Sequence, residues 1–69
     1  MTLKELLNVV KEPTLVNLIC GDEDVLTYRS RILQDKQFLD HQVISVTATL
    51  DGNPGESEEY PFLEIKVEE

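Results

Sequence analysis

Residues 42–50 alternate, with Ile44, Val46, Ala48 and Leu50 on one side and Val43, Ser45, Thr47 and Thr49 on the other. The same two-residue period returns near the C-terminus, where Leu63, Ile65 and Val67 alternate against Phe62, Glu64 and Lys66. A period of two with one apolar side is the signature of a strand that buries one face. Between the two runs stands turn chemistry throughout, Asp51-Gly52-Asn53-Pro54-Gly55-Glu56-Ser57-Glu58-Glu59, so they read as a hairpin. Matching their apolar sides pairs Ala48 with Leu63 and Val46 with Ile65, and leaves Thr47 opposite Glu64 and Ser45 opposite Lys66. The connection is longer than the usual hairpin loop of about two to five residues.

The N-terminus reads as helix. Thr2-Leu3-Lys4-Glu5 has the spacing of a capping box, in which the Thr2 hydroxyl accepts from the residue 5 N–H and the Glu5 carboxylate accepts from that of Thr2. Leu3, Leu6, Leu7 and Val10 follow at i, i+3, i+4 and i+7. Pro13 disfavours helical geometry at Glu12, which places the end near residue 11. So short a helix must dock on something to persist.

Residues 14–20 are rich in β-branched and apolar side chains, with Val16, Leu18 and Cys20 on one face and Leu15 and Ile19 on the other. Such a strand is expected to be central, or covered on both sides. Residues 25–32 alternate as well, Leu26, Tyr28 and Ile32 against Thr27, Arg29 and Arg31, with an acidic turn at Gly21-Asp22-Glu23-Asp24 between. Pairing Cys20 with Val25 sets Asn17 opposite Tyr28 and Val16 opposite Arg29. Residues 33–41 lack β character and fit a short helical turn carrying a few apolar anchors such as Phe38 and Leu39.

The 69 residues allow one domain and one modest core. With a single cysteine, Cys20, the chain has no disulfide staple and no thiolate cage for zinc, as suits a reducing cytoplasm. The N-terminus lacks the basic start and apolar stretch of a signal peptide, and no run approaches the ~20 apolar residues of a membrane span. The net charge of −8 is concentrated late: residues 51–69 hold seven carboxylates against Lys66, a local −6. That balance disfavours direct contact with nucleic acid or anionic lipid.

No catalytic set stands out. Cys20 ends an apolar strand beside acids that would raise its pKa, so it reads as structural. His41, the only imidazole, follows Asp40 in a loop and reads as solvated. An EF-hand begun at Asp51 would need glutamate at its twelfth position, where Phe62 stands. No enzyme, cofactor or metal site is expected. Arg29 and Arg31, two apart on a strand, pair with carboxylates such as Glu64 or make a small anion contact. Tyr60 and Phe62 share a side with Thr49, away from the apolar stripe, and form a patch of the kind found at interfaces. With Glu56, Glu58 and Glu59 they are the candidate partner contact.

The opening Thr-Leu-Lys-Glu-Leu-Leu helix, the two-strand unit ending in Leu26-Thr27-Tyr28-Arg29, and the Val43-Ile44-Ser45-Val46 and Leu63-Glu64-Ile65-Lys66-Val67 strands together resemble small uncharacterised proteins encoded by bacteriophages and prophages of Gram-positive bacteria. The resemblance implies an intracellular accessory protein that acts by binding. It supplies no functional residues, and the acidic 51–59 connection is long for its pattern.

The expected fold is therefore α+β, a single domain over residues 1–69. An N-terminal helix packs on an antiparallel sheet of about four strands in two hairpins with a short helical turn between. The expected function is a small, acidic, non-catalytic binding or assembly module in the cytoplasm. It takes a protein partner or a second copy through the spare sheet face, with Tyr60, Phe62 and the acidic tip at the contact. The alternative is an acidic inhibitor, a DNA mimic that occupies a basic nucleic-acid site on a host protein.

Overall fold

The computed structural model describes residues 1–51 and 60–69. Its first element is α1, Leu3–Val9, and the capping box is formed: Thr2 N–H donates to Glu5 Oε1 at 2.9 Å and Glu5 N–H donates to Thr2 Oγ1 at 3.3 Å. These bonds hold the Glu5 carboxyl below its ordinary pKa of 4.5, the Thr2 backbone N–H first and the Thr2 hydroxyl second. The remaining free N–H groups of the first turn find distant acceptors, Leu3 N–H donating to His41 O at 2.9 Å and Lys4 N–H to Leu39 O at 3.0 Å. The helix is shorter than its sequence predicts. It stops at Val9 because Val10 turns extended (φ −98°, ψ 108°), which lets that side chain pack against the core before Pro13 is reached.

β1, Leu15–Cys20, and β2, Glu23–Tyr28, form an antiparallel hairpin in which Cys20 faces Glu23 and Asn17 faces Leu26. The turn is thus two residues rather than four, and the expected register moves by two. Gly21 explains it: with φ +57° in the first central position, it is the residue a type II′ hairpin turn requires. A shift of two leaves every side chain on its expected face.

The second difference is larger. The strand ends at Tyr28, and residues 29–35 form α2, Arg29–Asp35, so Arg29 and Arg31 are helical and do not face Glu64 across a sheet. Tyr28 supplies no side-chain cap, but Arg29 N–H donates to Thr14 O at 2.6 Å, satisfying one free donor of the helix from the start of the neighbouring hairpin. Arg29 also reaches α1, donating from Nε (2.8 Å) and Nη2 to Leu7 O, one of the carbonyls left over at that helix's C-terminus. α2 ends at Lys36 in the left-handed region (φ 62°). Ile32 is its buried anchor, and Leu33, Phe38 and Leu39 pack at the core's margin.

β3, Val43–Asp51, and β4, Tyr60–Val67, form the second hairpin with the register predicted from the alternation: Ala48 faces Leu63, Val46 faces Ile65, Thr47 faces Glu64 and Ser45 faces Lys66. The two hairpins join through β1 and β4, which pair in parallel, Val16 with Leu63 and Leu18 with Ile65. The strand order is β2-β1-β4-β3, a mixed sheet instead of a wholly antiparallel one, within the expected α+β class. β1 is central, as its apolar character requires.

The core lies on one face of this sheet. Leu3, Leu6 and Leu7 of α1 and Ile32 of α2 pack against Val16, Leu18, Leu63, Ile65 and Val67, all nine buried. Every strand residue in that group belongs to β1 or β4, so the core is centred on the sheet's middle; on the flanks Val43, brought opposite Val67 by a register shift in β3, packs at its margin, and Val25 and Thr27 of β2 line a cavity with Ile32 and Phe38. The apolar stripe of β3 consequently remains open, with Ile44 55% and Val46 43% exposed, although the alternation alone predicts it buried.

Two outcomes follow for stability. Thr2→Ala should lower the unfolding free energy by about 1 kcal/mol in denaturant titrations. The part contributed by Glu5, whose folded pKa is depressed, is present above pH 4.5 and should vanish as the pH falls through the lower folded value. Arg29→Ala should cost about 1.5 kcal/mol by loosening α1 from α2, with Arg29→Lys recovering only part because a lysine cannot present two donors in a fixed fork.

Candidate functional site

Both helices lie on one face, and among the described residues no element covers the other face of the sheet. It carries Leu15 and Ile19 from β1, Leu26 and Tyr28 from β2, and Phe62 and Glu64 from β4, in the alternate positions to the buried set. Leu26 is 50% and Tyr28 62% exposed, while Leu15, Ile19 and Phe62 are half-buried by their neighbours alone. Phe62 stands opposite Thr49, as the sequence predicts, and continuing the β1–β4 register brings it beside Leu15. A shallow groove at this end of the sheet is lined by Glu12, Pro13, Thr14, Leu15, Leu26, Tyr28 and Pro61.

Of the predicted contact residues, Phe62 lies on this face and Tyr60 is placed in the strand opposite Asp51. Glu56, Glu58 and Glu59 lie outside the described residues. Leu18 and Val25 point to the helix side. The residues that extend the aromatic patch, Leu26 and Tyr28, were visible in the sequence as one alternating face. Ile32, which continues their alternation in the sequence, belongs to α2 and is buried on the opposite side.

At the opposite end of the sheet the fold joins two residues that the sequence keeps apart. Cys20 Sγ lies 3.9 Å from His41 Nδ1, 3.6 Å from Glu68 O, and His41 Nδ1 lies 2.5 Å from the same carbonyl. The His41 ring also meets the edge of Phe38, with ring centres 5.3 Å apart. The pairing arises because His41 stands two residues before β3 while Glu68 follows β4, and Glu68 N–H donates to Gln42 O at 2.9 Å.

The protonation of this cluster follows from the shared acceptor. A carbonyl oxygen only accepts, so Nδ1 carries the proton and donates, and the thiol donates to the same oxygen. No lone pair on Nδ1 is left to receive the thiol's proton. Burial raises the Cys20 pKa above its ordinary 9.0, and the nearby Glu23 and Glu69 carboxylates raise it further. A nucleophilic cysteine requires the reverse of each of these conditions. Among the described residues no group of three or more His, Cys, Asp or Glu side chains converges as a metal site, and no helix is long and apolar enough to cross a membrane.

No family model matches the chain, and no match was found among curated proteins or solved structures.

Iodoacetamide should therefore alkylate Cys20 in the folded protein several-fold more slowly than in the unfolded chain at pH 8, and His41→Ala should not slow it further. Slower alkylation on removing His41 would mean that the pair is ionised and the thiol activated. A thiol whose pKa is raised on folding favours the fold while protonated, so its contribution should decline as the pH rises past 9.0.

Proposed function

We propose that this chain is a non-catalytic binding module that engages a protein partner through the bare face of its sheet, an accessory role of the kind its resemblance to phage-encoded proteins implies. The supporting observation is the one-sided core: nine buried residues on the helix side, against an open face holding Leu15, Ile19, Leu26, Tyr28 and Phe62. Exposed apolar and aromatic side chains grouped on a rigid sheet make the kind of surface that interfaces use, with Tyr a frequent anchor.

Charge defines the partner's chemistry. The chain carries −8 overall, Glu12 lines the groove, and the open face holds Asp24 and Glu64 with the one lysine Lys66. A complementary surface presents aliphatic or aromatic side chains ringed by Lys and Arg, and polyanions are disfavoured. Several of the described carboxylates gather at one end of the sheet, Asp22, Glu23 and Asp24 in and beside the first hairpin turn and Glu68 and Glu69 after β4, while Glu64 stands in mid-sheet. That distribution gives the binding-module reading more support than a phosphate-like array would receive.

Selection from a displayed random-peptide library should enrich sequences that combine aromatic or aliphatic residues with Lys or Arg. Their amide shift perturbations should map to Leu15, Ile19, Leu26, Tyr28 and Phe62. Tyr28→Asp should weaken binding by about tenfold or more, as expected for a truncated interface anchor. Peptides that instead map to the exposed surface of α1 or α2, or that bind Tyr28→Asp unchanged, would refute the assignment.

A further inference from the structure

The two edges of the sheet are protected very differently. β2 is a six-residue edge that carries Glu23 and Asp24. β3 is the longer edge: its first residue is covered, because Val43 N–H donates to Met1 O at 2.8 Å beside the Thr2–Gln42 bridge, and past the register shift between Val43 and Ser45 it carries no charge, proline or glycine through Leu50. Free edges normally carry charge, proline, a mid-strand bulge or a covering element, because their outward N–H and C=O groups are a template for another strand. Here Ile44, Ser45, Val46, Thr47 and Ala48 are all exposed along the unguarded stretch.

We infer that β3 is a homodimer interface, in which the β3 edges of two copies pair antiparallel about a twofold axis into one eight-stranded sheet. The occupant is a second copy because this strand is its own complement. A twofold through Val46 keeps every side chain on its own face and sets Val46 against Val46, Ile44 against Ala48 and Ser45 against Thr47. Apolar residues meet apolar ones, hydroxyls meet hydroxyls, and no carboxylate meets another. The charge distribution selects the same segment: two molecules of −8 repel, and within this chain the run between Asp40 and Asp51 contains no acid at all. Such pairing is isologous, closes at two copies and buries the long edge beyond the stretch that Met1 and Thr2 already cover, leaving β2 and its acids outermost.

In this dimer the helices of both copies lie on one side and both bare faces on the other. The arrangement would make the surface described above bivalent, but the dimer stands on the β3 edge alone and does not require that reading.

The test is sedimentation velocity from 10 µM to 1 mM at about 0.15 M salt, where electrostatic repulsion is screened beyond roughly 8 Å. It is paired with amide hydrogen exchange at the two concentration limits. The expected result is a monomer–dimer equilibrium in which the outward-facing amides of β3 gain protection with concentration. Val46→Lys and the double variant Ser45→Lys/Thr47→Lys, each setting lysine against lysine across the axis, should weaken association at least tenfold while far-UV circular dichroism stays unchanged. A monomer throughout, with outer β3 amides exchanging freely, would overturn the inference and leave the edge to some other extended chain. So would a dimer that survives whichever lysine variants fold, or one abolished by Tyr28→Asp, which would place self-association on the bare face.

Discussion

α1 is only seven residues long, and a helix of that length does not persist by itself. Both of its ends are secured by segments far away in the chain. The first turn donates to carbonyls at positions 39 and 41 and closes its capping box on Thr2, and Leu7 O at the other end is held by the Arg29 side chain. Leu3, Leu6 and Leu7 then supply a third of the buried core. The segment before β3, the start of α2 and the sheet are thereby tied to a single short helix. Loosening α1 would uncover Val16, Ile65 and Val67 together, so in a chain with one cysteine and no disulfide the helix acts as the staple.

One-sided coverage follows from this economy. Two seven-residue helices, each about 10 Å long at 1.5 Å per residue, can shield the two inner strands but not the outer two. β1 and β4 take the middle because their inward positions are the most consistently apolar, and joining the hairpins through them makes that contact parallel. Among the described residues most of the outer β3 edge and the opposite face stay open, and both functional surfaces proposed above are consequences of that shortage of helix.

Much of this was legible in the sequence where a local pattern determines the outcome. The β3–β4 register could be read residue by residue because only one alignment places both apolar stripes on one side. The Thr2–Glu5 box could be read because its partners are three residues apart. Errors arose where tertiary contacts decide. Arg29-Ser30-Arg31 continues the alternation of β2, yet the acceptor at Thr14 O and the Leu7 carbonyl draw Arg29 into a helix. The β1–β2 register turned on Gly21 taking positive φ, and a glycine in the first central turn position was the available signal for a two-residue loop. The parallel join of the hairpins left no local trace. Neither did the meeting of Cys20 with His41, twenty-one positions apart and brought together by a shared carbonyl on a third segment.

The late concentration of charge acquires a different meaning on this scaffold. Of the seven carboxylates after residue 50, Glu64 sits on the open face and Glu68 and Glu69 follow β4. Glu68 and Glu69 stand beside the end that already holds Asp22, Glu23 and Asp24, where Glu23 and Glu69 add to the effect of burial in raising the Cys20 pKa. Acid therefore accumulates where an extra strand or an anionic partner would otherwise approach β2, and it is absent from Val43 through Leu50. Solubility alone would distribute charge over both edges, since an uncharged free strand is the more hazardous of the two. A chain that guards its short edge with acids and, beyond the stretch covered by Met1 and Thr2, leaves its long one clear has the pattern expected when the long edge has an occupant.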